Sequence, residues 1–162
     1  MINKPDFTDA QKPTDTFDLV EWSAKYSTGI AQIDKQHKDL VHLTNELFQA
    51  CRSTAGELDN AFKDTLRRMV EYVRSHFTQE LVLLERIHYP DYHEHKNLHD
   101  ELIKTILAAV KEHNEGKTFI PNHFVRTLRD WVFGHIAVYD QKYALYIKEQ
   151  KRKGLLTDIE LN

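Results

Sequence analysis

One helix face runs through the middle of this chain without a break. Phe62, Leu66, Met69, Val73, His76, Glu80, Leu83 and Ile87 follow one another at alternating steps of four and three residues. That is the inward face of a helix packed in a bundle. Two of its members are polar, so a bundle built on this helix must bury a histidine and a carboxylate near its centre. A buried ionised carboxylate without partners is costly or becomes protonated. For Glu80 alone, a structural ion pair with His or Arg explains it as well as anything else.

The rest of the chain reads the same way. Glycine (5) and proline (4) are scarce, which favours long helices and few turns. Residues 1–19, with Pro5, Pro13, four aspartates and three threonines, read as an N-terminal tail or arm. Residues 20–33 read as irregular, with Trp22 packing the arm onto the bundle and Gly29 as a turn. The spacing predicts a first helix over 32–52, with Ile33, Leu40, Val41, Leu43, Leu47 and Phe48 apolar and His37 and Thr44 on the Leu40 face. A turn at 53–58 follows, then the striped helix over 59–87, ended by His88-Tyr89-Pro90 because Pro90 cannot continue it. A third helix is expected over 92–114 with His95, Leu98, His99, Leu102, Ile106, Ala109 and Val110 inward. Asn114-Glu115-Gly116 stops it. A fourth runs from Pro121 to about Lys153 with Phe124, Leu128, Trp131, His135, Val138 and Tyr139 inward. Gly154 ends it, leaving a tail over 154–162. The fold class is all-α: an antiparallel up-and-down four-helix bundle over 20–153 with an N-terminal arm.

Charge and composition exclude several functions. The net charge is −3 with both signs interspersed, so nothing suggests nucleic acid. Cys51 is the single cysteine, expected as a small, at least half-buried thiol. No apolar run approaches the ~20 residues that span a bilayer, and residues 1–17 lack a secretory apolar region. A cytoplasmic monomer is the expectation.

Histidine is abundant at 10 residues. His76 and Glu80 are four apart and share a face, and His95 and His99 repeat that spacing. Two histidines so spaced can hold one metal ion, although a lone His-x-x-x-His is a weak signal. With His37 and His135 added, the inward polar groups lie on four predicted helices, and coincidence no longer explains them. Asp140 stands five residues after His135, about 140° away on a straight helix. Either Asp140 is a surface aspartate, or the helix is overwound or carries a π-type bulge there. His42, His88, His93, His113 and His123 read as surface or capping residues. Asp100, next to His99, is off the inward stripe and does not suggest a His-Asp dyad. Imidazole with carboxylate suits iron, zinc, copper or manganese. Seven ligands are too many for one ion. Two six-coordinate irons sharing Glu80, Asp140 and a single-atom bridge would keep one open position. A hydrolase would also need a general base, and no spare inward Glu, Asp or Lys is visible.

These residues stand in recognisable motifs: Trp22; Gly29-Ile30-Ala31-Gln32-Ile33-Asp34-Lys35-Gln36-His37; His76-Phe77-Thr78-Gln79-Glu80; Tyr89-Pro90 with His95 and His99; and Trp131 with His135 to Asp140. In these the chain resembles the bacterial hemerythrins, from Trp22 to Asp140. The resemblance implies a non-haem di-iron centre with an oxo or hydroxo bridge that binds O2 reversibly, ferrous when empty and ferric when oxygenated. His95, His99 and His135 would hold one iron, His37 and His76 the other, and Glu80 and Asp140 would bridge. The His135–Asp140 spacing also fits that pattern. Leu81 and His88 depart from it, where an acidic residue and a small residue are common. The implied function is O2 carriage, storage or delivery to an O2-consuming partner, with sensing of O2, redox state or nitric oxide as the alternative. A di-iron redox enzyme is the weaker third reading.

Overall fold

The computed structural model describes residues 18–52, 55–115 and 121–157, and within them the chain is entirely helical. A short 3-10 turn, Ala24–Tyr26, precedes α1 (Ala31–Ala50), α2 (Ala55–Arg86), α3 (Tyr92–Asn114) and α4 (Pro121–Gly134). A π-helical segment, His135–Asp140, then joins α4 to α5 (Gln141–Arg152) along one continuous rod. α1 packs against α2 and α4, and α2 packs against α3. The expected bundle is present. Residues 1–17, 53–54, 116–120 and 158–162 lie outside the described residues, so the tail over 1–17, Gly116 and most of the C-terminal tail do too.

Helix ends follow local chemistry. No side chain caps the start of α1. Instead the Asp34 carboxylate folds back to accept the Thr28 N–H at 2.7 Å and its hydroxyl at 2.8 Å, and it also takes the Ser27 hydroxyl. This fixes how the arm enters α1. α2 begins at Ala55, four residues before the expected start, so Gly56 and Leu58 are helical rather than part of a turn. At its end, Tyr89 N–H reaches Leu84 O and His88 N–H reaches Glu85 O, with His88 at φ 52°. This is the left-handed closure that normally uses glycine. α5 closes in the same way with Gly154 at φ 72°. His88 is exposed there, and the Tyr146 hydroxyl covers the Ile87 and His88 carbonyls. A left-handed L-residue costs about 1–2 kcal/mol, partly offset by the extra freedom glycine has when unfolded. His88→Gly is therefore expected to raise the thermal midpoint by about 2–4 °C, measured by circular dichroism.

Every member of the α2 stripe is buried, as its spacing requires. The fourth rod departs from expectation. Val138 is 51 % exposed, and Val125, Val132, Ile136, Tyr143 and Ile147 are buried. The expected stripe carried an α-helical register through His135. The π segment holds more residues per turn, so Ile136 and Asp140 turn inward and Val138 turns out. Trp131, Tyr139, Leu98 and Val110 are only partly buried.

The apolar core is divided. One cluster contains Leu40, Phe62, Met69, Phe77, Leu102, Leu128 and Ile136, with Trp22 packed against it. A second contains Ile33, Leu83, Leu84, Ile87, Tyr89, Tyr143 and Ile147. The buried carboxylates Glu80 and Asp140, with His37, fall between the two along their helices, and His76 and His135 border the first cluster. Cys51, at the end of α1, is half-buried, and burial pushes its thiol up to about 11.

Candidate metal centre

That polar layer is where the sequence-predicted residues meet. His37, His76, Glu80, His95, His99, His135 and Asp140 are all buried. Two groups form within it: Glu80 with His95, His99 and His135, and Glu80 again with His37 and His76. Within each group the candidate ligand atoms lie within 4.8 Å of one another. Glu80 Oε2 stands 3.1 Å from His95 Nε2 and 3.0 Å from His99 Nε2. Asp140 Oδ1 stands 3.1 Å from His135 Nε2, and its Oδ2 is 3.1 Å from His37 Nε2. The π segment brings Asp140 to the His135 side, which the five-residue spacing on a regular helix would not do.

The chemistry of this set fits metal ions better than protons. His135 Nε2 lies 2.9 Å from His99 Nε2 and 3.3 Å from His95 Nε2. One proton can bridge only one such contact. Ring nitrogens bound side by side to one first-row metal ion, at about 2.1 Å each and near a right angle, stand about 3 Å apart. In addition, His37 Nε2 and both Asp140 oxygens are buried at these distances with angles that make no hydrogen bond. Orphaned polar atoms of this kind are rare in a finished core and call for an ion or water.

Electrostatics polarise the layer. Burial and repulsion from Glu80 push the Asp140 carboxyl up, but His135 and His37 outweigh them and hold it down to about 2. Burial raises the Glu80 carboxyl, and hydrogen bonds from His95 and His99 with the fields of His76 and His99 bring it well below its ordinary value. Burial lowers His76 to about 4 and lowers His99. His37 and His95 are also opposed by burial, but Asp140 and Glu80 respectively raise them. Both carboxylates have folded pKa values below their unfolded ones. Their stabilisation is complete above about pH 4 and is lost as the pH falls through the folded value. The metal-free protein is expected to unfold between about pH 4 and 2, followed by far-ultraviolet circular dichroism.

Several contacts that support the site cross between helices or join residues whose roles spacing does not assign. The buried Tyr143 hydroxyl donates to Glu80 Oε1 at 2.6 Å, and Glu80 with burial holds that phenol protonated well above its usual range. Tyr143 lies three residues after Asp140, a spacing that places it on the same face. Phe77 stacks on His99 at 3.5 Å between ring centres, and Trp131 stacks on His135 at 4.5 Å. Trp131, expected to face inward, is partly buried and walls the site through this stack. Gln36 meets His76 across the α1–α2 seam. The remaining histidines stay outside: the exposed His42 pairs with Glu46, His88, His93 and His123 are exposed, and His113 packs near Phe62. Asp100 pairs with Lys96 at 2.6 Å, away from His99.

A helical bundle with a buried, histidine-rich layer of two clusters that share Glu80 defines a metal-binding bundle protein. Residues 28–146 match the hemerythrin HHE cation binding domain, and the chain belongs to the hemerythrin family. It is 31% identical over 130 residues to the bacteriohemerythrin of Stenotrophomonas maltophilia, covering 80% of this chain and 82% of that one. It is 28% identical over 126 residues to the bacteriohemerythrin of Methylococcus capsulatus, covering 77% and 94%. The crystal structure of wild-type hemerythrin superposes with a TM-score of 0.72 at 26% identity, over 78% of this chain and 95% of that one. Membership implies a di-iron centre, and the two His/Glu clusters are able to hold metal. Among the described residues, no helix is long and apolar enough to cross a membrane.

Proposed function

We propose that this chain binds O2 reversibly at a di-iron centre held by His37, His76, Glu80, His95, His99, His135 and Asp140. The observation that carries the reading is the sharing of both carboxylates. Glu80 belongs to both clusters, and the two oxygens of Asp140 face His135 and His37 separately. His95, His99 and His135 would hold one ion and His37 and His76 the other, which leaves the two-histidine side less filled. Two irons held by these residues would supply a one-to-one site for reversible O2 binding.

The protein's own groups do the rest. Tyr143 holds one oxygen of Glu80 and so orients the shared carboxylate. Phe77 and Trp131 lock the planes of His99 and His135 by stacking. The apolar clusters on either side exclude water, which favours a neutral diatomic over a polar substrate. Among the described residues, Glu80 and Asp140 are the only buried carboxylates, and both are committed to histidines. Among the described residues no further buried carboxylate remains to act as the general base of a hydrolase. Carriage or storage of O2 follows most directly.

The arm favours sensing as a second reading. Trp22 lies 6.3 Å from the His37 ring, and Gln141, next to Asp140, donates to the carbonyls of Tyr26 and Ser27. A change at the centre would reach the arm through these contacts. Trp22 fluorescence that shifts on oxygenation would move weight to this reading, and an unchanged signal would leave carriage.

The deciding experiment is anaerobic. The protein is reduced, its iron counted, and its visible spectrum recorded before O2, after O2 and after argon purging. Two irons per chain and a band that appears with O2 and fades on purging are expected. Zinc alone, no metal, or irreversible bleaching would overturn reversible O2 binding.

A further inference from the structure

The two halves of the cluster differ in what holds their histidines from behind. His76 Nδ1 lies 3.0 Å from Gln36 Oε1. The Gln36 amide nitrogen donates to Gln79 Oε1 at 2.7 Å, and Gln79 Nε2 donates in turn to Ser75 Oγ at 3.1 Å. In this arrangement the Gln36 nitrogen is committed to Gln79 and its oxygen faces His76, the orientation that a metal on His76 Nε2 requires. An amide oxygen only accepts, so His76 must carry its proton on Nδ1 and keep the Nε2 lone pair free. By contrast, the outer Nδ1 atoms of His37, His99 and His135 are buried and meet no hydrogen-bond partner.

Gln36 and His37 are neighbours on α1, about 100° apart around the helix. One side chain enters the polar layer while the next lies in the seam with α2. The Tyr72 hydroxyl pins that stretch of α1 from behind, bonding Gln36 O at 3.2 Å and Asp39 Oδ2 at 3.0 Å. Gln36 is nearly buried, so its amide is not shared freely with water.

We infer that Gln36 is the positioning residue of the two-histidine half, fixing His76 in the Nδ1–H tautomer with Nε2 toward the metal. This rests on the ligand assignment above. A histidine ligand is generally oriented and made more basic by the acceptor behind its outer N–H, and loss of that acceptor weakens metal binding by about 10–100-fold. Here such a side-chain acceptor serves His76, so its loss acts on one ion of the pair.

The test uses the full chain labelled with nitrogen-15, with Gln36→Leu and Gln36→Glu as variants. In the metal-free proteins, imidazole nitrogen shifts report the His76 tautomer. The wild type is expected to be Nδ1–H, Gln36→Leu to move toward Nε2–H, and Gln36→Glu, which keeps an acceptor, to restore Nδ1–H. Anaerobic titration with Fe2+ follows. Gln36→Leu is expected to keep one tight iron and bind the second about 10–100-fold more weakly, with Gln36→Glu near wild type. An unchanged tautomer in Gln36→Leu, or equal weakening of both irons, would overturn the proposal. A wild type that shows the Nδ1–H tautomer but takes up no iron would overturn the di-iron reading, and the positioning role with it. The metal-free tautomer therefore separates the two failures.

Discussion

Glu80→Gln is expected to strip both irons from the protein in one step. Glu80 is the residue common to the two clusters, with Oε2 at 3.0–3.1 Å from two histidines and Oε1 taking the Tyr143 hydroxyl. The substitution keeps the shape and leaves an acceptor for Tyr143, so helical structure should survive. It removes the negative charge that offsets two cations in a layer walled by apolar clusters. It also presents an NH2 where a lone pair is needed. Losing a mere supporting contact costs about 10–100-fold in affinity, and losing a shared ligand should exceed the upper figure for both ions. Iron per chain after desalting, measured by plasma emission with circular dichroism as the folding control, is the check. A folded variant that still holds two irons would remove Glu80 from the shared position. A substitution in one half only, such as His76→Leu, should spare the other half's iron, so the pair separates a shared ligand from a general disturbance.

Removing the metal should cost stability on the scale of the whole fold's margin. Ions that bind the folded chain alone stabilise it by mass action, about 4 kcal/mol when free metal is a thousandfold above the dissociation constant. In a chain of this size each kcal/mol moves the thermal midpoint by about 2–4 °C. Chelation is therefore expected to lower it by about 10–15 °C, measured by scanning calorimetry with and without iron. The structural reason is local. Without ions, His37 Nε2 and both Asp140 oxygens remain buried without hydrogen bonds, and three ring nitrogens crowd together near His135. The Tyr143–Glu80, Gln36–His76 and His–carboxylate contacts then hold the layer. A shift under about 2 °C would mean that the polar layer satisfies itself and the bundle is stable independently of metal.

The α2 stripe shows how much was legible from spacing alone. Phe62 to Ile87 come out buried in full because a helix face is a matter of steps of three and four within one segment. His37, His76, Glu80, His95, His99 and His135 were readable by the same rule: each is a polar residue at an apolar position. Asp140 was different. Spacing left it open between surface and site, and the resemblance to the hemerythrins weighed it toward the site. The π-type bulge that the spacing left as one alternative is present over His135–Asp140 and turns Asp140 inward.

What spacing left out are contacts between helices. Gln36 to His76, Tyr143 to Glu80 and Phe77 to His99 join residues 22 to 63 positions apart in the chain. No periodicity within one helix fixes which side chain of a neighbour it will meet. That depends on how α1, α2, α3 and the α4–α5 rod rotate and slide against each other, and so on packing of the whole core. The sequence by itself determined the four-helix architecture and which residues point inward, because both follow from local periodicity. The tertiary structure decided between the two placements open to Asp140, and it alone set the division of the core around the polar layer and the groups that hold His76 and Glu80 in place.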